Sequence, residues 1–155
     1  MSRWEALGFA MTSLAVSVTG LVYFWMKYFL RNDDPFALVN HPWQQTFLKL
    51  HILSAPALIL IVGILFKSHF LQKYRLKEKG NRLTGMALMS SFPAMVLSGY
   101  ALQVVVEPFV LEIAIVLHLG TGAIFSAACV AHLITGFKLG NKKVQAWWNR
   151  RRIAA

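Results

Sequence analysis

FVLEIAIVLHLGTGAIFSAACVAHLITGF, residues 109–137, decides how this chain is read. From Ile113 through Phe137 it carries no Asp, Glu, Lys or Arg, yet it holds His118 and His132. The two lie fourteen residues apart, which on an α-helix is about 1,400°, some 40° short of four full turns. Both imidazoles therefore leave nearly one face, separated by roughly 21 Å along the axis. An ionisable group inside hydrocarbon is costly and marks a functional site by default. Two on one stripe call for a shared explanation.

Composition places that stretch in a membrane. The chain has 155 residues, 57% hydrophobic and 14% charged, which excludes disorder and argues against an ordinary soluble domain. The formal charge of +10 would suit nucleic acid, but apolar runs of twenty residues do not belong to a nucleic-acid binder. One cysteine, Cys129, excludes an internal disulfide and a thiolate cluster, and it reads as a small buried hydrophobe.

Four apolar segments follow in order: residues about 7–30, 46–70, 83–106 and 109–137. The first is too long for a signal-peptide core and no small-residue cleavage site ends it, so it reads as a retained span. Residues 31–45 form a loop rich in turn formers (Asp33, Asp34, Pro35, Pro42) with Trp43 at its end. Residues 73–82 are a basic connection, and a tight turn with Glu107 and Pro108 leads into the last span. The tail, 138–155, combines Lys138, Lys142, Lys143, Trp147, Trp148 and Arg150, Arg151 and Arg152, as an interfacial anchor would. Arg3, Lys67, the basic connection and the tail fall on one side; Lys27, Arg31 and Lys49 fall on the other with Asp33, Asp34, Glu107 and Glu112. The positive-inside rule then puts both termini in the cytoplasm. The expected fold is all-α, a single up-down-up-down four-helix membrane bundle.

In that topology the second and fourth spans run in the same direction. His51 and His118 fall near the outer surface, His69 and His132 near the inner one. His51 and His69 are eighteen residues apart, five full turns, and so share a face. Two pairs on two facing helices suit bis-histidine ligation of two stacked haems, since neutral imidazole is a common ligand of haem iron. Glycine gives a flat ring the clearance to approach a backbone. Gly122 lies on the fourth span, and Gly85 and Gly99 repeat the fourteen-residue interval on the third; the first span lacks it, because Gly8 and Gly20 point about 120° apart. The two histidine intervals differ by roughly 6 Å of rise. Bending at Pro56 or helix tilt would absorb it; otherwise His69 lies beyond the ring and Met89 is the substitute ligand. The plainer reading of the histidines is separate polar residues bonding neighbouring helices.

Other candidates are peripheral. Glu107 and Glu112 stand where a quinol oxidised at the outer edge would shed protons, or serve as simple interfacial charges. His41 reads as a loop residue, with contact to a quinone headgroup as the alternative. Arg82 and Lys67 are placed to pair with haem propionates.

Arg82-Leu83-Thr84-Gly85, Leu97-Ser98-Gly99-Tyr100, His118-Leu119-Gly120 and His132 with Gly136 resemble the bacterial four-helix transmembrane di-haem cytochrome b families, over roughly residues 46–140. The resemblance implies an inner-membrane, quinone-linked subunit working beside a periplasmic c-type cytochrome or metalloenzyme. It also implies that His51, His118, His69 and His132 are axial ligands of two haems b. The expected function is electron transfer between the quinone pool and a redox partner, in contact with lipid and not with nucleic acid. The alternatives are a stand-alone haem oxidoreductase, acting on superoxide or metal ions, and a haem-free membrane anchor.

Overall fold

In hydrocarbon no water can satisfy a bare peptide group, so a short apolar chain crosses as helix. The structure, a computed structural model, describes residues 2–34, 36–76 and 81–153, with 139–153 described by backbone alone. Every regular element among them is helical: α1 (Arg3–Tyr28), α2 (Gln44–Leu65), a π-helical turn (Phe66–Leu71), α3 (Gln72–Arg75), α4 (Arg82–Val104) and α5 (Pro108–Ile153). Four stretches among the described residues are long and apolar enough to cross a membrane: Arg3–Tyr28, Gln44–Arg75, Arg82–Val104 and Pro108–Lys138. The chain divides into two compact units, Met1–Leu76 and Lys77–Ala155.

The first unit is an antiparallel helical hairpin. A capping box starts α1: the Glu5 N–H donates to Ser2 Oγ at 3.1 Å and the Ser2 N–H to Glu5 Oε2 at 2.6 Å. Helix therefore begins at Arg3, ahead of the apolar run that starts at Leu7. In the following loop the Asn40 amide donates to the Lys27 carbonyl at 2.8 Å, tying the end of α1 to the approach of α2. Gly8 packs against Ile61 and Gly20 against His51, which fixes the register of α1 on α2. Phe9, Ser13 and Val16 from α1 and Leu58, Val62 and Leu65 from α2 are buried, while Leu53 and Leu60 stand exposed as lipid-facing residues do. Helix continues past the expected end at residue 70, through the π turn to Arg75. Within that turn the Ser68 hydroxyl donates to the Ile64 carbonyl at 3.1 Å.

In the second unit α4 and α5 pack antiparallel with a seven-residue rhythm. Gly99 meets His118, Phe92 meets Phe125 (ring centroids 5.8 Å apart) and Gly85 meets His132. Each step of seven back along α4 is matched by seven forward along α5, the spacing of a left-handed coiled seam. Asn81, at the start of α4, adopts a left-handed φ of 60°. The backbone of α5 runs unbroken from the last apolar span to Ile153. Charge ends a membrane-compatible segment without ending a helix, and no proline follows Pro108. The side chains of Lys142, Lys143, Trp147, Trp148, Arg150, Arg151 and Arg152 lie outside the described residues, as do Pro35 and Lys77, Glu78 and Lys79 of the basic connection.

Candidate functional site

Two histidines, one in each unit, are held in the same way. His51 Nδ1 lies 3.0 Å from the Val16 carbonyl oxygen and 3.3 Å from Thr19 Oγ1, and the ring lies on Gly20. His118 Nδ1 lies 3.0 Å from the Met95 carbonyl oxygen and 3.4 Å from Ser98 Oγ, and its ring lies on Gly99. Carbonyl, hydroxyl and glycine occupy positions i, i+3 and i+4 of the facing helix, adjacent on one face. A carbonyl oxygen can only accept, so Nδ1 carries the proton in both rings. The hydroxyls agree with that assignment. Thr19 Oγ1 donates to the Ala15 carbonyl at 2.7 Å and Ser98 Oγ to the Ala94 carbonyl at 2.7 Å, leaving each oxygen to accept from the imidazole. A neutral ring protonated at Nδ1 carries its lone pair on Nε2, the state a histidine needs to ligate a metal.

His132 uses the same grammar with one change. Its Nδ1 lies 3.0 Å from Thr84 Oγ1 and its ring faces Gly85. The Thr84 hydroxyl donates to Asn81 Oδ1 at 2.5 Å. The Asn81 amide is oriented from both sides: Nδ2 donates to the His132 carbonyl at 2.7 Å, and Oδ1 accepts from Thr84 and Thr135. One asparagine thus joins the start of α4 to the histidine turn of α5.

The glycines leave little slack. A Cβ on Gly20 would sit 2.8 Å from His51 Cε1, one on Gly99 would sit 3.0 Å from His118 Cε1, and one on Gly85 would sit 3.4 Å from His132 Cε1. The fourteen-residue glycine interval on α4 therefore seats imidazoles from α5. The first span, which lacks that interval, seats one imidazole. Gly20 alone seats His51, and Gly8 serves Ile61. Gly122 has nothing within 4 Å of a would-be Cβ and backs no histidine.

The remaining candidates take ordinary places. His69 is half-buried in the π turn. Such a turn takes in an extra residue, about 100° of phase, so five-turn arithmetic from His51 does not hold there. His41 Nδ1 accepts from the Trp43 N–H at 3.2 Å, the tautomer opposite to that of His51 and His118. Glu107 accepts from the N–H groups of Phe109 (3.2 Å) and Val110 (2.7 Å) and so caps α5. Glu112 and Arg82 are exposed, Met89 is half-buried and Cys129 is buried. The Ser13 hydroxyl is buried, and no partner for it stands among the described residues.

Sequence reasoning quoted Thr84 and Ser98 within motifs but gave neither them nor Thr19 and Asn81 a role beside the histidines. The signal was present as the dipeptides Thr19-Gly20, Thr84-Gly85 and Ser98-Gly99, each a hydroxyl followed by glycine. No protein-family model, curated protein or solved structure matches the chain. Among the described residues no three His, Cys, Asp or Glu side chains group as a bare metal site would require. A macrocycle that brings its own equatorial nitrogens asks the protein only for axial histidines, and the donor chemistry at His51, His118 and His132 fits that demand.

Proposed function

We propose that the chain is a di-haem b-type cytochrome of the bacterial inner membrane, moving electrons between the quinone pool and a redox partner. One observation carries the reading. Histidines within apolar, membrane-length helices rest on glycines, and a main-chain carbonyl holds two of them, His51 and His118, in the tautomer whose Nε2 can bind iron.

In this proposal His51 pairs with His118, and His69, its phase reset by the π turn, pairs with His132, in an up-down-up-down bundle with both termini cytoplasmic. Haem, when bound, supplies reversible one-electron chemistry. The chain's part is to orient the imidazoles, fix their basicity through Nδ1 and keep water away. The long apolar helices support a lipid setting, where a quinone also resides.

The test is a haem count with a redox titration of the visible spectrum on purified protein. We expect reduced b-type bands, two haems per chain, and loss of one haem in His118→Ala and one in His132→Ala. A folded, colourless preparation would refute the proposal.

A further inference from the structure

On α5, His118 Nδ1 faces a main-chain carbonyl as well as the Ser98 hydroxyl, and His132 Nδ1 faces the Thr84 hydroxyl. His118 gives its proton to the Met95 main-chain carbonyl, which no substitution can delete. His132 faces the side-chain hydroxyl of Thr84, itself aligned by Asn81. The direction of that bond follows from its neighbours. Asn81 Nδ2 is committed to the His132 carbonyl, so Oδ1 must face the two threonines, and it can only accept. The Thr84 hydrogen goes to Asn81, and the Thr84 oxygen is left to accept from His132 Nδ1–H. The left-handed φ of 60° at Asn81 suits this double duty, since asparagine is among the few residues that adopt it readily.

We infer that Thr84 and Asn81 are positioning residues that hold His132 in its metal-binding tautomer and set the potential of its haem independently of the haem at His118. The inference rests on the cytochrome reading for the haem and on geometry alone for the tautomer. An acceptor at Nδ1 makes the imidazole a stronger donor to iron and favours the oxidised state. A hydroxyl polarised by a further hydrogen bond is a stronger acceptor than a lone one. Thr84→Val keeps the shape and removes this hydroxyl acceptor. Thr84→Ser keeps the acceptor and loses a methyl. Asn81→Gly keeps the backbone conformation and removes the amide that aims Thr84.

The experiment has two arms. In the haem-loaded protein, Thr84→Val should raise one of two midpoint potentials and leave the other in place, with Thr84→Ser restoring the wild-type value. Loss of one neutral hydrogen bond should change the reduced-to-oxidised ratio by up to about tenfold, equivalent to about 59 mV for one electron. Asn81→Gly should shift the same haem in the same direction by less. Unmoved potentials with both haems retained, equal shifts of both, or failure of serine to restore the value would overturn the inference. In the haem-free protein, ¹⁵N spectra of labelled histidine should show protonated Nδ1 at His51, His118 and His132, with only His132 altered by Thr84→Val. A folded protein that takes up no haem when haem is supplied, yet keeps this tautomer pattern, refutes the cytochrome and leaves the positioning role standing. A His132 signal indifferent to Thr84→Val refutes the positioning role in either preparation.

Discussion

At the scale of single residues, the three glycine contacts rank themselves. Replacing glycine by alanine inside a helix is worth about 0.5–1 kcal/mol in backbone terms, provided the methyl has room. At Gly63, where nothing lies within 4 Å of a would-be Cβ, that gain should appear as a higher melting temperature. At Gly85 the methyl meets His132 Cε1 at 3.4 Å, ordinary contact, and the gain should largely survive. At Gly99 the gap falls to 3.0 Å and at Gly20 to 2.8 Å, so the ring must move. It cannot swing aside without stretching the bond from Nδ1 to the Val16 or Met95 carbonyl, 3.0 Å in both cases. Overpacking of this kind costs about 1–3 kcal/mol, which outweighs the backbone gain. Thermal unfolding in detergent should therefore order the variants Gly63→Ala, Gly85→Ala, Gly99→Ala, Gly20→Ala from most to least stable. An equal gain at all four would mean that the imidazoles do not sit where the structure has them.

At the scale of helices, caps and local hydrogen bonding decide what apolar runs cannot. Four spans were legible because twenty-residue apolar stretches have few alternatives, and clusters such as Lys73, Arg75, Lys77 and Lys79 punctuate them. Their ends were less so. The Ser2–Glu5 box moves one start outward, and Glu107 starts α5 at Pro108 by accepting two of its first N–H groups. That role belongs to a cap, so Glu107→Ala should cost about 0.5–2 kcal/mol of stability, visible as a lower melting temperature. Glu107→Asp should recover part of the loss, and an unchanged melting temperature in the alanine variant would remove the cap from the account. The π turn was illegible. Phe66-Lys67-Ser68-His69-Phe70-Leu71 holds no glycine or proline, and its departure from α lies in backbone hydrogen bonding alone. His118 and His132 were legible as polar groups in an apolar stripe. Their partners Ser98, Thr84 and Asn81 were not, nor was Thr19 beside His51, because one sequence does not state the register that sets helix against helix.

At the scale of the whole molecule, the distribution of charge makes the proposed membrane orientation testable. Arg3, Lys67, Lys73, Arg75, Lys77, Lys79, Arg82 and the lysines and arginines of the tail lie at the N-terminus, around the connection between second and third spans, and beyond the fourth. The first and third connections and their flanks hold only Lys27, Arg31 and Lys49. Lysine and arginine near the ends of spans set orientation, with the richer side staying in the cytoplasm, and acidic residues count for little. In the proposed topology a cytoplasmic N-terminus and the four spans among the described residues would return the C-terminus to the same side. His51 and His118, each early in its helix, would stand toward the outer surface, and His132 toward the inner one. The expectation is concrete. A reporter enzyme active only outside the cytoplasm should be silent when fused after Ala155 and active when inserted after Asp33, in the first loop. A reporter that fluoresces only in the cytoplasm should give the opposite pattern. Neutralising Lys73, Arg75, Lys77 and Lys79 together should blur both patterns, since it removes a dense block of the bias. Strong external activity from the Ala155 fusion of the unaltered chain would invert the molecule, and with it the assignment of His118 to the outer haem.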